Sequence, residues 1–414
     1  MKNCSYFRSH LLAFVALVFA GNQGIAEDWP HWLGPKRNGS SPEKNLLTKW
    51  PKDGPKVLWK VPGGEGYSTV AVVGDRAYTL VQRKGKELAV CLSVKDDGKQ
   101  LWEYVLGKAY TNNYGNGPRS TPTIEQGRVY VQSATGPLVC LDSMNGKKMW
   151  AVDLVQDFGG KIPTWGFSAS PRIEGDLLYV LPGAKKAGVA AYYKKNGKLA
   201  WKTGSDPTSY ATPVVVKVGG QKQVVFFNAF GLVGVHPKTG KELWRQVWKN
   251  EYDCNICTPL VIGSRIFVTC GDKVGCALLE LSQTGKPDIV WESKGRDSVM
   301  INYWANSVLY KGHLYGIHGQ PGEPPIYLRC VNLKTHKVVW EQKFGLGTVT
   351  LADGHLWMTT KKGDLVLAKA TSEGYQEKGR VRLLGDNRTS PTIANGRLFI
   401  RDKQTIYCLD ISGK

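Results

Sequence analysis

Short apolar segments rich in Val, Ile, Leu, Tyr and Trp alternate with turn residues along nearly the whole chain, a pattern that predicts strands and excludes long helices. Two signatures recur within it. The first is a turn, usually carrying a glycine, that leads into a strand bearing an aromatic. It places Tyr78, Tyr130, Tyr179, Phe226, Phe267, Tyr315, Trp357 and Phe399 at spacings of 41 to 52 residues. The second is Gly-Lys-x-x-Trp, at Gly98 to Trp102, Gly146 to Trp150, Gly197 to Trp201 and Gly240 to Trp244, with variants at Gly285 to Trp291 and His336 to Trp340. In the seventh unit Leu383 stands near the expected tryptophan.

A repeat of this length makes each unit one supersecondary element. Every unit supplies four short strands: one after a Ser/Thr-Pro lead-in, one with the aromatic, one running into Leu-Asp, and an outer one with Trp. Four-stranded sheets repeated radially are propeller blades, and they must stack and close because a single blade cannot bury both faces. The eighth unit ends at Gly413-Lys414 without its tryptophan strand, whereas Pro55-Lys56-Val57-Leu58-Trp59 has that pattern and no preceding repeat. The sequence therefore predicts an all-β, eight-bladed propeller, closed when the N-terminal strand completes the last blade and hides its edge. The expected divisions are 1–26, a leader; 27–53, an N-terminal extension; and 54–414, the propeller. The repeated tryptophans are expected to fill the wedges between sheets.

Residues 1–26 read as a secretory signal: Lys2 and Arg8 in a polar start, an apolar run from Leu11 to Ala20, and small residues at Gly24-Ile25-Ala26. That run is too short to span a bilayer. Its removal lowers the formal charge from +21 to about +19, still strongly basic. With export to the periplasm or beyond, the fitting polyanions are polysaccharide, lipid headgroups or cell-envelope polymer, an envelope protein is a further expected partner, and nucleic acid is not expected. A closed ring needs no oligomer, so a monomer is expected. Eight cysteines remain after Cys4 is lost; Cys91, Cys140, Cys330 and Cys408 hold equivalent repeat positions and read as small buried residues. Cys254-x-x-Cys257, with Cys270 and Cys276 in the same unit, reads as one or two disulfides in an oxidising compartment, with free thiols or a zinc site as alternatives.

The loops before the innermost strands converge on one mouth of a propeller's channel. Blade by blade they offer Tyr67, Arg119, Trp165 with Phe167, Tyr210, Asn255, Trp304 with Asn306, and Arg388. Aromatics that stack, guanidiniums that fork a carboxylate and amides that orient a polar ring suit a planar anionic ligand or a sugar acid. Packing of these residues on each other, plugging the channel, is the plain alternative. Gly107 to Gly117 and Val155 to Trp165 are longer connections and candidate lids. No metal site is expected, because Asp157, Asp206, Asp253 and Asp386 are scattered singly; His313 and His355 read as turn residues. Gly166-Phe167-Ser168-Ala169-Ser170 lacks a nucleophile elbow's second glycine, and no catalytic residue can be named.

The unit Leu-Asp-x-x-x-Gly-Lys-x-x-Trp, clearest at Leu141 to Trp150, and the lead-ins Thr121-Pro122, Ser170-Pro171, Thr212-Pro213, Thr258-Pro259 and Ser390-Pro391 resemble the pyrroloquinoline quinone (PQQ) repeat propellers of the quinoprotein alcohol dehydrogenase-like type. The likeness covers residues 29–414. Trp29-Pro30-His31-Trp32-Leu33-Gly34-Pro35 also looks like the start of an exported bacterial branch, often labelled PQQ-binding-like or polyvinyl-alcohol-dehydrogenase-like. The resemblance implies two functions. One is a binding or scaffold protein acting through its channel mouth and basic surface, as in the propeller lipoprotein of outer-membrane assembly. The other is a PQQ- and Ca²⁺-dependent dehydrogenase oxidising an alcohol or sugar, with Arg119 and Arg388 on the quinone carboxylates. The sequence lacks the adjacent cysteine pair common in such dehydrogenases and the propeller lipoprotein's anchor cysteine, and the binding reading is preferred.

Overall fold

The computed structural model describes Met1 and residues 27–413; the leader reading lies outside the described residues. Eight sheets follow one another around a ring. Blade 1 is Ala71–Val73, Arg76–Arg83, Lys86–Ser93 and Gln100–Lys108, each strand antiparallel to the next, and the pattern repeats through blade 7. In blade 8, Thr392–Ala394, Arg397–Arg401 and Thr405–Asp410 are completed by Val57–Pro62, with Trp59 opposite Cys408. The ring is thus closed by hydrogen bonds between the two ends of the chain.

Register explains why the repeat uses these residue types. Tyr78, Cys91 and Trp102 lie opposite one another on three successive strands, as do Tyr130, Cys140 and Trp150, then Tyr315, Cys330 and Trp340, and finally Phe399, Cys408 and Trp59. The cysteine is the small residue between two rings. In every blade the ladder shifts by one residue beside this position. Such a bulge re-aims a side chain.

Each re-aimed indole meets the next blade. Trp59, Trp102, Trp150 and Trp201 donate Nε1–H to the carbonyls of Val94, Ser143, Lys194 and Pro237 at 2.8–3.1 Å. The turn glycine of that next blade lies flat against the ring. A Cβ on Gly146 would come within 2.7 Å of Trp102, and Gly146 also has φ of 71°, where a side chain is strained. The glycine of Gly-Lys-x-x-Trp is therefore a landing pad for the preceding blade's tryptophan. In blade 6 His336 replaces it at φ 60° and stacks on Trp291 at 4.7 Å.

Blade 7 departs from the sequence expectation. The residue in tryptophan register is Gly379, opposite Leu367, not Leu383. Trp50 of the N-terminal extension fills the vacant wedge: its backbone N–H donates to Lys378 O at 3.1 Å, and a Cβ on Gly379 would meet Trp50 Cβ at 2.7 Å. The indole reaches the wedge from another part of the chain.

The rest of residues 27–53 threads the ring. Trp29 exchanges two backbone bonds with Val72 in blade 1, Pro30 O accepts from Ile124 in blade 2, and Ser40–Ser41 pairs in parallel with Leu351 and Ala352 in blade 7. The Glu43 carboxylate caps Asn395 N and Gly396 N in blade 8. This strap carries His31, whose pKa is pushed down to about 2 by burial and then by Arg37 and Arg172. His318 in blade 6 is pushed to about 4 by burial and then by Arg329. Both stay neutral when folded, whereas the unfolded chain takes up their protons below pH 6.5. Stability is therefore complete above pH 6.5 and falls as the pH drops below it, by up to about 1.4 kcal/mol per histidine per pH unit. Glu43 and Glu87, raised by burial, act with the opposite sign closer to pH 4.5. Denaturant unfolding at pH 7.5 and 5.5 should show this loss, and a His31→Gln, His318→Gln double variant should show a much flatter profile.

Candidate functional site: the channel mouth

The Ser/Thr-Pro lead-ins form a belt around the channel. Thr69 Oγ1 and Thr121 Oγ1 lie 2.6 Å apart; Thr121 N donates to Ser170 Oγ at 2.9 Å, Ser170 N to Thr212 Oγ1 at 2.9 Å, and Thr212 N to Thr258 Oγ1 at 3.3 Å. The Ser170, Thr212 and Thr258 hydroxyls each satisfy a backbone N–H of the blade before. The adjoining proline has no N–H to satisfy, which explains the pairing in the sequence.

Above this belt opens a cavity of about 410 Å³. Its floor includes Trp32 from the N-terminal strap, whose Nε1–H bonds Thr258 Oγ1 at 3.0 Å. Six of the eight residues proposed from the sequence line it: Tyr67, Arg119, Trp165, Tyr210, Trp304 and Arg388. The other two do not. Asn255 is fully buried and donates Nδ2–H to Asn228 O and Trp248 O, and Asn306 is spent on Thr258 O. Both amides fasten loops, because a buried amide is stable only with its donors satisfied. Phe167 belongs to the hydrophobic core.

The sequence reading missed Trp32, Tyr303 and Lys361 as lining residues. Lys361 comes from a hairpin between the second and third strands of blade 7, where the lead-in rule does not look. Tyr303 adjoins Trp304, and the tandem aromatics could have flagged it. Tyr114, from the first of the long connections, also lines the cavity. The second connection carries a short helix, Leu154–Phe158, capped by Asp153.

The two arginines differ. Arg119 donates to Gly115 O at 2.6 Å and to Gly117 O, and lies over the Tyr110 and Tyr67 rings at 4.8 and 5.5 Å. It clamps its own loop, and burial lowers its pKa. Arg388 lies over Tyr67 at 5.0 Å and Trp304 at 5.1 Å. Its buried Nε has no hydrogen-bond partner. Among the described residues neither Arg388 nor Lys361 forms an ion pair, and no carboxylate lines the cavity. The mouth is therefore cationic, aromatic and uncompensated. Tyr210 and Tyr303 have phenol pKa values raised by burial, so they are protonated hydrogen-bonding groups rather than bases.

All eight cysteines described are free and buried. The disulfide expectation for blade 5 is corrected, because the thiols face different partners: Cys257 donates to Ala305 O, Cys270 to Cys254 O, and Cys276 lies 3.5 Å from Ser298 Oγ. Among the described residues no group of three or more His, Cys, Asp or Glu could hold a metal. Three of the four scattered acids are engaged elsewhere: Asp206 pairs with Arg245, Asp386 pairs with Lys403 at 2.9 Å, and Asp157 accepts from Asp153 N at 3.1 Å.

The resemblance implies PQQ with Ca²⁺. The cations and rings suit an anionic ligand, but Ca²⁺ takes several oxygen ligands including carboxylates, and the lining offers none. The residues present do not fit the quinone–calcium pair.

Fold and mouth together define an eight-bladed PQQ-like repeat propeller with a cationic, aromatic cavity at its mouth. Residues 90–310 match the family described as outer membrane protein assembly factor BamB, and the chain belongs to that family. A BamB from Moranella endobia is 24% identical over 361 residues, covering 81% of this chain and 86% of the relative. Among solved structures, BamB from Moraxella catarrhalis superposes with a TM-score of 0.62 at 14% identity, covering 86% of this chain and 100% of the other. Quinohemoprotein alcohol dehydrogenase from Comamonas testosteroni gives 0.64 at 13% identity, covering 94% and 81%. Identities this low carry the fold alone.

Proposed function

We propose that the protein is a non-catalytic binding propeller of the cell envelope, exported by residues 1–26, that holds an anionic partner at its channel mouth. One observation carries this reading: among the described residues Arg388 and Lys361 form no ion pair and line a cavity walled by aromatics, with no carboxylate in its lining. A buried or half-buried cation without a partner costs stability, so a site that retains it is organised for an incoming anion. Relatives named as outer membrane assembly factors support a scaffold role. No helix among the described residues is long and apolar enough to cross a membrane.

The purified mature protein, given PQQ, Ca²⁺ and a primary alcohol, should reduce no dye. An Arg388→Ala, Lys361→Ala variant should be retained on an immobilised anionic envelope fraction at least tenfold more weakly than the wild type. Alcohol oxidation, or equal retention of the two proteins, would overturn the reading.

A further inference from the structure

We infer that the mouth receives the terminal unit of an acidic saccharide, a pyranose ring carrying a carboxylate. The inference rests on the binding reading above and names its ligand class.

The shape of the walls separates a sugar from a flat aromatic. Trp165 meets Tyr210 at 66° and Tyr114 at 78°, and Tyr303 meets Trp304 at 70°. Rings set at such angles cannot all stack on one planar ligand. They can contact a puckered ring, which presents C–H groups in several directions while its hydroxyls project between them.

The belt below supplies the polar complement. Ser170, Thr212 and Thr258 hydroxyls each accept a hydrogen bond within the fold, and among the described residues none donates one. Their protons remain available to ligand oxygens, and all three residues line the cavity. Arg388, with its Nε unpaired, and Lys361 are the carboxylate partners, since a guanidinium in an apolar frame binds a carboxylate more strongly than a neutral donor would. A volume of about 410 Å³ lies in the range of small-molecule sites, roughly 300–1,000 Å³. Trp32 lines the cavity beside Thr258, to which its Nε1–H donates at 3.0 Å, and on this inference a chain enters by its end.

Titration of the mature protein with trigalacturonate and triglucuronate, followed by tryptophan fluorescence and calorimetry, tests this. At least one should bind, with an affinity that does not rise for longer chains, and maltotriose should bind at least tenfold more weakly. Arg388→Ala should cost at least tenfold. Lys361→Ala, on a hairpin tip away from the belt, gives a second reading should the first variant misfold, and should cost several-fold. Equal affinity for maltotriose, equal competition by inorganic phosphate, affinity growing in proportion to chain length, or binding unchanged in both variants would each overturn the inference; the last two would place acidic chains on the general basic surface. If neither uronate binds while the double variant still loses envelope retention, the saccharide class fails and the binding propeller stands; if retention is also unchanged, both fall.

Discussion

Arg401→Ala is expected to lower the unfolding free energy by about 3–5 kcal/mol, the combined cost of a large-to-small truncation in the core and of buried carbonyls left without a donor. Arg401 is fully buried in blade 8, yet its guanidinium reaches blade 1, donating to Leu80 O at 2.7 Å, Gly64 O at 2.5 Å and Ser68 O at 3.4 Å. It ties the last blade to the first. Truncation strands those carbonyls away from water, and each stranded group costs about 1–3 kcal/mol. Arg401→Met keeps most of the volume and should lose nearly as much, whereas Arg401→Lys should recover part of the loss through one ammonium. Guanidinium unfolding curves measure all three. A loss under about 1 kcal/mol for alanine would show that strand pairing alone closes the ring.

Trp50→Ala should cost about 3–5 kcal/mol, like other large-to-small core substitutions of an aromatic residue. The indole is only 6% exposed and packs in the cluster that holds Trp357, Leu365 and Leu367. A comparison with Trp102 gives the test its specificity. Trp50 Nε1 has no partner, whereas Trp102 Nε1 bonds Ser143 O at 3.1 Å. Replacement by phenylalanine should therefore be milder at position 50, and harsher at position 102 by about 1 kcal/mol for the lost hydrogen bond. If Trp50→Ala left the midpoint unchanged, the strap would not be completing blade 7.

These two residues mark what the sequence discloses and what it does not. The blade was legible because its requirements are local and recur around the ring: an aromatic in all eight blades, a tryptophan in register in seven, and in most a turn glycine where the neighbouring indole lands. Closure was legible because Trp59 lacked a preceding repeat. The path of residues 27–53 was not, because a segment traversed once has no period, and so Trp50 in blade 7 and Trp32 beneath the mouth could not be placed. The lead-in rule found six wall residues because inner strands begin at the channel rim. It misassigned Asn255 and Asn306 because rim amides serve the belt equally well, and it passed over Lys361 because hairpin tips from the second strand also reach the axis. The distinction between a clamped Arg119 and an unpaired Arg388 depends on which carbonyls lie within reach, a matter of three-dimensional placement alone.

In the proposed function the partner binds at the mouth rather than on the outer basic surface. Site-specific photo-crosslinking in intact cells tests it most directly, with the reactive side chain at Tyr114 on the mouth, 65% exposed, and at Met149 on an outer strand, 46% exposed. Adducts should form at Tyr114, disappear when Arg388→Ala is added, and be absent at Met149. Equal adducts at Met149, or adducts at Tyr114 that persist in the Arg388→Ala protein, would place the partner outside the mouth.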